Sequence, residues 1–467
     1  MANQGVDTWK GRTRRTVASK ARSHEESNIQ TERSYLQFIK IETKCFNVGA
    51  WDELFVRVGR NDKLIWNDNW SVADGTASFF MFPADKRVPS RWSPQGTFFV
   101  TAADRNMVII WGSDFGQLFR FCHYQVEEFD ISPGEKYLVT YSKPKPSDPN
   151  GLWLKIFDVR TGTAIVGLNN VDVADSTQWP LIRWAGGKDD KFFVILSKNK
   201  TVAVYETKKF NPLGNAPLLL DDVIDISWSP TQAVLAILLK ASGKQPFKVV
   251  LLQFPNNVKL AEKDLTAILG DCKMHWQSNG EYLAVNTYGG FEFFRIKEEG
   301  IPTDSLKVDK KTLAFAWEPS GHRFAVIYGD EPTLSVSFYS MKKTPGKVTE
   351  LTILSNRQAD APFWSPKGNL IVLAGLKEGL KEGNLEFFDV DQLAQISPVA
   401  NVVANQVAWN QSGKYVATVF THKRSLIVIV TVNQMTLVRV LLSGPPMESL
   451  DWRPYRGIID DDMLKKQ

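Results

Sequence analysis

One short pattern recurs along the whole chain and limits what it can fold into. Its clearest copy is residues 312–327, where apolar residues alternate with small or polar ones up to Trp317 and predict a strand with one buried face. Residues 318–321 follow as a turn, in which proline presets φ and Gly321 is expected to supply a positive φ. Residues 324–327 then return as a second strand, so the pattern predicts a β-hairpin.

The hairpin recurs with a tryptophan at the end of the leading strand, and in one copy Ile131 takes its place before Ser132-Pro133. The tryptophan anchors are Trp92, Trp184, Trp228, Trp276, Trp317, Trp364, Trp409 and Trp452. A repeat of about 40–45 residues with four strands per unit is typical of WD-type propellers. With Ile131 counted, the anchors predict an all-β fold, a nine-bladed WD-type β-propeller.

The two ends of the repeat region complement each other. Residues 53–66 supply strands with no anchor before them, whereas Trp452 ends a leading strand with none after it. We therefore expect strands from both ends to close the ring, because closure removes exposed sheet edges. The predicted domains are a short, basic, disordered extension at 1–40, the propeller at 41–456 and a polar tail at 457–467. A short helix is expected near 260–269.

Composition excludes few classes of protein. The chain has 56 basic and 51 acidic residues, and a net charge of +5 permits contact with nucleic acid without demanding it. No run of about 18 apolar residues and no signal peptide is present, which favours a cytoplasmic protein without a membrane partner. Cys45, Cys122 and Cys272 lack Cys-x-x-Cys spacing and are expected to be buried free thiols.

Catalytic motifs are absent from the sequence. His24, His123, His275, His322 and His422 have no metal-ligand spacing and are expected in turns or on the surface. Neither a phosphate-binding glycine loop nor a nucleophile elbow occurs. We expect no catalytic residue, no metal and no cofactor, and hence no enzyme. The tryptophans could form a ligand cage, but their fixed place in each repeat favours packing between blades.

Basic residues offer two hypotheses for RNA contact. The cluster Arg12, Arg14, Arg15, Lys20 and Arg22 is either a solvated tail or an arm that binds RNA phosphate, which arginine forks match. Four further basic pairs are expected in solvated loops. These pairs are Lys208-Lys209, Lys310-Lys311, Lys342-Lys343 and Lys423-Arg424.

The order of motifs resembles one family over residues 90 to 455. Residues 271–277 (DCKMHWQ), 315–319 (FAWEP), 335–339 (SVSFY) and 363–366 (FWSP) are similar to the B subunit of eukaryotic translation initiation factor three. The resemblance implies a nine-bladed propeller that acts as a scaffold during translation initiation. It implies as partners the other subunits of the factor, the A subunit first, and the small ribosomal subunit with its RNA and proteins.

The sequence also departs from that family's pattern. The family carries an RNA-recognition-motif domain before the propeller, for which residues 1–45 are too short and too polar. It also carries a C-terminal helix that recruits a small propeller subunit and an RNA-binding subunit, and no such helix precedes Gln467. Two other functions stay open from sequence. One is a stand-alone propeller initiation factor that delivers initiator tRNA, and the other is a propeller hydrolase, which would need convergent carboxylates at the central channel.

Overall fold

The computed structural model describes most of the repeat region and shows only β-structure there. The described residues are 54–58, 61–65, 79–82, 88, 90–103, 106–112, 116–143, 151–168, 180–196, 202–213, 223–240, 246–265, 272–296, 303–344, 347–376, 385–399, 404–421, 425–431, 436–442 and 447–454. These residues form β-strands joined by turns and bends, and they contain no helix. The all-β, WD-type propeller class expected from the repeat is thereby confirmed.

The strands form four-stranded antiparallel sheets, which we number in chain order. Sheet 1 contains β4 (Arg91–Trp92), β5 (Phe99–Ala103), β6 (Met107–Trp111) and β7 (Gln117–Cys122). Sheet 2 contains β8 (Val126–Ile131), β9 (Tyr137–Ser142), β10 (Leu154–Asp158) and β11 (Ala164–Leu168). Sheet 3 contains β12 (Ile182–Trp184), β13 (Phe192–Leu196), β14 (Val202–Glu206) and β15 (Asn211–Pro212). Sheet 4 contains β16 (Val223–Trp228), β17 (Val234–Leu239), β18 (Phe247–Gln253) and β19 (Val258–Leu265).

The same order continues through the second half of the chain. Sheet 5 contains β20 (Met274–Trp276), β21 (Tyr282–Thr287), β22 (Gly290–Arg295) and β23 (Thr303–Lys307). Sheet 6 contains β24 (Thr312–Trp317), β25 (Arg323–Asp330), β26 (Thr333–Thr344) and β27 (Lys347–Arg357). Sheet 7 contains β28 (Ala361–Trp364), β29 (Leu370–Ala374), β30 (Leu385–Asp389) and β31 (Ala394–Val399). Sheet 8 contains β32 (Gln406–Trp409), β33 (Tyr415–Thr421), β34 (Ser425–Thr431) and β35 (Thr436–Leu442).

A further sheet, the closing sheet, joins the two ends of the described chain. It contains β1 (Leu54–Val58), β2 (Asn61–Ile65), β3 (Phe79–Phe82) and β36 (Met447–Trp452), in the order β3-β2-β1-β36. β1 pairs antiparallel with β36, and Leu54 lies opposite Trp452. The strands that the sequence leaves incomplete at each end therefore hydrogen-bond to each other. This pairing gives β1 a partner along an edge that would otherwise expose backbone donors and acceptors.

The hydrophobic core lies between neighbouring sheets. Where burial is described, the second strands are largely buried, because their side chains face a neighbouring sheet on both sides; β5 is buried at all five positions. Between sheets 5 and 6, Phe293 packs on Phe324 with ring centroids 5.2 Å apart. Burying such a ring stabilises the fold by a few kcal/mol. The core is thus a series of inter-sheet layers that continues from one sheet to the next.

The order of strands fixes which loops share a face. First strands contact first strands of the next sheet, as β20 contacts β24 and β24 contacts β28, so they lie innermost where the sheets converge. Because every sheet is antiparallel, the turns after first and third strands emerge on one side. We call this side the turn face. Loops after second strands, and the connections between sheets, emerge on the opposite face.

Two local expectations from sequence are wrong. Gly96, Gly280, Gly368 and Gly413 have φ between 68° and 84°, but Gly321 does not adopt a positive φ. A Cβ at Gly321 would instead lie 1.9 Å from a carboxylate oxygen of Glu318, so this glycine makes room for a buried side chain. The expected helix near 260–269 is also wrong as far as the chain is described, because residues up to Leu265 form β19, paired to β18.

The predicted extension (1–40) and tail (457–467) lie outside the described residues, as do the predicted boundaries of the propeller at 41 and 456. All three domain assignments stay predictions.

Candidate interaction surfaces

The structure places all eight tryptophan anchors at the last position of a first strand. Ile131 ends β8 in the same way. Five of the indoles donate a hydrogen bond to the preceding sheet, each to the carbonyl just before that sheet's own anchor. The bonds run from Trp228 to Arg183 (2.9 Å), Trp317 to His275 (2.9 Å), Trp364 to Ala316 (3.1 Å), Trp409 to Phe363 (2.9 Å) and Trp452 to Ala408 (3.1 Å).

The other three indoles differ. Within the described part of the chain, the buried N–H groups of Trp92, Trp184 and Trp276 have no hydrogen-bond partner. Trp184 packs instead against Tyr137 of sheet 2, with ring centroids 5.5 Å apart and planes 5° from parallel. The tryptophans therefore join neighbouring sheets by packing and, in five cases, by a directed bond. This arrangement accounts for the anchors without a ligand cage.

Sheets 2 and 3 are joined by a carboxylate that sequence reasoning missed. Asp190 is 1% exposed, and it accepts hydrogen bonds from the Ser132 hydroxyl (2.7 Å), the Gly134 N–H (2.6 Å) and the Lys136 N–H (3.3 Å). Burial raises its pKa, although these bonds oppose the shift. Three donors on one buried carboxylate fix the turn of sheet 2 against the turn of sheet 3.

Sheets 6 and 7 share a second buried ionic network on the turn face. Glu318 is 5% exposed and accepts from Arg323 at Nε (3.0 Å), Nη2 (2.6 Å) and the backbone N–H (3.1 Å). Arg323 also donates to Asp391 (2.6 Å) and to the Gly368 carbonyl (3.1 Å) of sheet 7. The bond to Glu318 is the main reason that the pKa of Arg323 is raised. One arginine thus satisfies acceptors in both sheets.

A third contact lies where the closing sheet meets sheet 1. Arg453 follows β36 and is 7% exposed; its Nε donates to the Gly96 carbonyl at 2.6 Å. Its guanidinium also lies 5.0 Å from the centre of the Trp92 ring, a cation–π distance. Gly96 has φ 76°, and a Cβ there would lie 1.8 Å from the Pro454 carbonyl oxygen. Close backbone approach and a buried arginine together fix this junction.

Near the same junction, three carboxylates on the inner strands lie close enough to Arg91 to be affected by its charge. Arg91 of β4 lies 3.8 Å from Asp130 of β8, and its guanidinium lies 5.0 Å from the Phe129 ring. Burial raises the pKa of Asp130 to about 6, and it also raises the pKa values of Glu128 and Asp451. The attraction of Arg91 opposes all three shifts. Among the described residues, no group of three or more His, Cys, Asp or Glu side chains is placed to hold a metal ion.

Two histidines are more buried than the sequence suggested. His123 is 3% exposed, so the expectation of a surface position is wrong; its Nε2 lies 2.9 Å from the Leu152 carbonyl and its Nδ1 2.7 Å from the Thr140 hydroxyl. His275 is half-buried on β20, with Nε2 3.0 Å from the Asn286 amide oxygen. Burial lowers the pKa of each to about 4, so both are neutral at pH 7. His24 and His422 lie outside the described residues.

The cysteines also depart from expectation. Cys122 is exposed on β7, so the prediction of a buried thiol is wrong there. Cys272 is half-buried and donates to the Asn286 carbonyl at 3.1 Å, and burial raises its pKa to about 12. A thiol with that pKa stays protonated and is a weak nucleophile. Cys45 lies outside the described residues.

Exposed apolar side chains collect on the outer, fourth strands. Sheet 6 has the longest outer strand, β27, whose far side has no paired strand in the sheet. Leu351 is 36% exposed and Ile353 46% exposed on this strand. Leu393 and Ile396, next to and on β31 of sheet 7, are each 43% exposed. Edge strands with apolar side chains are a known mode of partner binding, through added strands or packed side chains.

The predicted basic residues do not come together. Arg12, Arg14, Arg15, Lys20 and Arg22 lie outside the described residues, as do Lys423-Arg424. Lys208-Lys209 are exposed on the turn face of sheet 3, whereas Lys310-Lys311 are exposed on the opposite face after sheet 5. Lys342-Lys343 are on β26, so their expected place in a loop is wrong.

Comparison with known proteins agrees with the fold. Residues 263–428 match the family model described as "Eukaryotic translation initiation factor eIF2A". The crystal structure described as that of "the eukaryotic initiation factor" superimposes with a TM-score of 0.66 at 19% identity, covering 87% of this chain and 99% of that one. At this identity the superposition shows the fold alone. Among the described residues, no helix is long and apolar enough to cross a membrane.

Curated relatives are closer in sequence. The B subunit of eukaryotic translation initiation factor 3 from Arabidopsis thaliana is 43% identical over 79% of this chain and 55% of its own length. The same subunit from Nicotiana tabacum is 38% identical over 80% of this chain and 55% of its own length. The chain therefore spans about half the length of the curated relatives that it matches. The resemblance expected from the motifs is confirmed, and over most of its length the chain is a homologue of the B subunit of eukaryotic translation initiation factor 3.

Proposed function

We propose that this chain is a scaffold subunit of eukaryotic translation initiation factor three that docks on the small ribosomal subunit during translation initiation. The observation that carries the proposal is the 43% identity to a relative named as the B subunit of that factor. The proposed partners are the other subunits of the factor, the A subunit first, and the small ribosomal subunit with its RNA and proteins. The proposed compartment is the cytoplasm.

The geometry supports a binding role. The inter-sheet layers described between sheets 1 and 8 are closely packed, and buried polar contacts at Asp190, Arg323 and Arg453 fix neighbouring sheets on the turn face. A body of this kind presents loops on two faces and strands at its rim in fixed relative positions. Partner binding then loses little conformational entropy on the scaffold's side. We propose that the outer strands of sheets 6 and 7, with Leu351, Ile353 and Ile396, contact a partner protein of the same complex.

We also propose that the protein has no catalytic activity. The buried histidines are neutral and hydrogen-bonded to structural neighbours, and the half-buried thiol of Cys272 has a raised pKa. These side chains stabilise the sheets through their contacts. The Ser142 hydroxyl lies 3.2 Å from His123 Nε2, as a nucleophile and base would, but both side chains are buried.

The basic arm of Arg12, Arg14, Arg15, Lys20 and Arg22 is proposed as an additional RNA contact. Neutralising all five to glutamine should leave the thermal unfolding of the chain unchanged and make its affinity for small ribosomal subunits less dependent on salt. The reason is that each phosphate contact releases counterions, which sets the slope of log affinity against log salt. Co-sedimentation across a salt series measures it. An unchanged slope removes the arm, and a lack of sedimentation by the wild type at low salt removes the docking.

One observation favours a second function. The matched family model is described as initiation factor eIF2A, so a stand-alone initiation factor that delivers initiator tRNA is the alternative. The two functions differ in the molecules that accompany the chain. Affinity purification with mass spectrometry should recover several subunits of initiation factor three with a scaffold subunit. Recovery of the chain alone, with initiator tRNA, would favour the alternative.

A further inference from the structure

Basic side chains cluster at one place on the turn face, where sheets 2 and 3 meet. The turn after β8 supplies Lys136, and the turn after β10 supplies Arg160. Sheet 3 adds two further turns, 185–191 and 207–210. We call the resulting set the basic turn patch: Lys136, Arg160, Lys188, Lys191, Lys208 and Lys209. Lys136 is half-buried, and the others are exposed.

Backbone contacts hold the four turns side by side. The Val159 N–H donates to the Lys136 carbonyl at 2.9 Å, which joins the two turns of sheet 2. The Thr207 N–H donates to the Lys191 carbonyl at 2.9 Å, which joins the two turns of sheet 3. The Lys136 ammonium donates to the Asp189 carbonyl at 3.0 Å and connects the sheets. The cations therefore form one surface on a fixed backbone.

Tyr137 lies at the centre of this surface. Its ring stacks on Trp184 and meets Phe210 edge-on, with centroids 5.4 Å apart. The hydroxyl is hydrogen-bonded to Thr207, and its pKa, which burial raises, is also affected by the charge of Arg160. Tyr137 therefore contacts the turn of sheet 3 that carries Lys208 and Lys209 through Thr207 and Phe210.

The acidic residues in the turns of sheet 2 are hydrogen-bonded to backbone N–H groups and, among the described residues, form no ion pair with the cations of the patch. Asp158 accepts from the N–H groups of Arg160 (2.8 Å) and Thr161 (3.0 Å). Glu135 accepts from the Gln95 N–H of sheet 1 at 2.7 Å. Each carboxylate is directed at N–H groups in the turns, while the guanidinium of Arg160 extends into solvent.

The two acids of sheet 3 differ from each other. Asp190 is buried in the turn of sheet 2, and Asp189 pairs with Lys191 at 3.0 Å. Among the residues that the structure describes, the side chains of Arg160, Lys188, Lys208 and Lys209 make no ion pair. Four exposed cations therefore remain on this surface beside the Asp189–Lys191 ion pair.

We propose that the basic turn patch binds the phosphate backbone of structured RNA, an inference that rests on the proposed docking to the small ribosomal subunit. Arginine and lysine on adjacent rigid turns are suited to successive phosphates, which position a nucleic acid without reading its sequence. No exposed large apolar side chain lies in the described turns of sheets 2 and 3 on this face. Protein interfaces have an apolar core, so the patch fits a hydrated polyanion better than a protein.

The test compares two variants with equal loss of charge. The patch variant carries Arg160→Gln, Lys188→Gln, Lys208→Gln and Lys209→Gln. The matched control carries Lys240→Gln, Lys307→Gln, Lys310→Gln and Lys311→Gln, which are exposed on the opposite face. Thermal unfolding checks that both fold. A second patch variant, Lys208→Glu with Lys209→Glu, reverses charge at one turn only and should weaken binding further per residue changed.

Binding is measured with two probes, purified small ribosomal subunits and a duplex RNA oligonucleotide, between about 50 and 200 mM salt. Each phosphate contact contributes about 0.9 to the slope of log affinity against log salt. With both probes, the slope of log affinity against log salt should be less steep by about 2–4 for the patch variant than for the wild type. At the lowest salt the patch variant should also bind at least tenfold more weakly. The control variant should match the wild type in both respects.

The other outcomes distinguish the proposed docking on the small ribosomal subunit from the proposed RNA binding by the basic turn patch. If subunits bind and both variants match the wild type, the patch is overturned and the docking stands. If the wild type fails to bind subunits but binds duplex RNA through the patch, the docking falls and the patch stands. If the patch variant loses subunits while duplex RNA binding is absent or unchanged, the patch contacts an acidic protein and the RNA assignment is overturned.

Discussion

Indole hydrogen bonds join neighbouring sheets in one part of the molecule and, among the described residues, are missing from the junctions between sheets 1 and 3, although the junction of sheets 6 and 7 holds the Glu318–Arg323 network as well as an indole bond. From sheet 5 to the closing sheet, each junction contains an indole N–H that donates to the preceding sheet, from Trp317 through Trp452. From sheet 1 to sheet 3, the joining groups are the carboxylates of Glu135 and Asp190, and Ile131 replaces one tryptophan. We call these regions the indole arc and the carboxylate arc.

The difference shows that one packing problem has two solutions. In both arcs the chain must satisfy buried donors and acceptors where a first strand turns into a second. A neutral indole does so with one bond and a large apolar surface. A carboxylate satisfies several N–H groups at once, but it adds a charge that must be compensated. The carboxylate arc is also where the basic turn patch lies, so the charges that fix its turns come with cations on its surface.

The largest expected effect is in the indole arc. Trp317 is half-buried, so Trp317→Ala should lower the free energy of unfolding by about 3 kcal/mol, the low end of the range for removing a buried aromatic ring, because it leaves a cavity among packed rings and removes the bond to the His275 carbonyl. Chemical denaturation of variant and wild type measures the change. A loss below about 1 kcal/mol would mean that the indole arc does not depend on its tryptophans.

A smaller loss is expected in the carboxylate arc. Asp190→Ala removes the acceptor for Ser132, Gly134 and Lys136 and leaves buried donors unpaired, which typically costs about 1–3 kcal/mol. Its neighbour Asp189 provides the matched control, because its side chain is 68% exposed and paired only with a surface lysine. Asp189→Ala should leave the free energy of unfolding close to that of the wild type, because exposed ion pairs contribute little. Equal losses in the two variants would contradict the role of Asp190.

The smallest effect separates the bond from the packing. Trp364→Phe removes an indole donor bonded to the Ala316 carbonyl, whereas Trp184→Phe removes a donor that has no partner among the described residues. Both lose similar apolar surface, so Trp364→Phe should cost about 1 kcal/mol more than Trp184→Phe. Thermal unfolding of the two variants in parallel measures this difference. If Trp184→Phe costs as much, the distinction between the arcs reduces to packing.

Sequence predicted what repeats locally. The position of each tryptophan at the end of a first strand follows from alternation and a turn within about ten residues, which are visible in one stretch of chain. The pairing of β1 with β36 was also predictable, because each end lacked what the other supplied. These features depend on short-range sequence patterns and on which strands each end of the repeat region lacks.

Contacts between turns of different sheets were not predictable. Asp190 meets Gly134 across more than fifty residues, and nothing near either residue indicates the other. Gly321 looked like a conformational glycine, but the reason for it is the space taken by Glu318. β19 contains alanine, glutamate, lysine and leucine, which favour helix, and pairing with β18 overrides that preference. In each case, contacts with neighbouring residues in the folded structure determine the local conformation or the role of the residue.

The closing sheet can form only after the ribosome has synthesised β36, long after β1. β1 is synthesised early, and its partner β36 follows only after every strand of sheets 1 to 8. At about 5–20 residues per second, β1 waits roughly 20–80 s for that partner. Throughout the wait, one edge of β1 presents unpaired N–H and C=O groups to any other strand nearby. A chain interrupted before residue 447 lacks β36, so we expect its unpaired β1 edge to be the site at which it pairs with strands of other molecules.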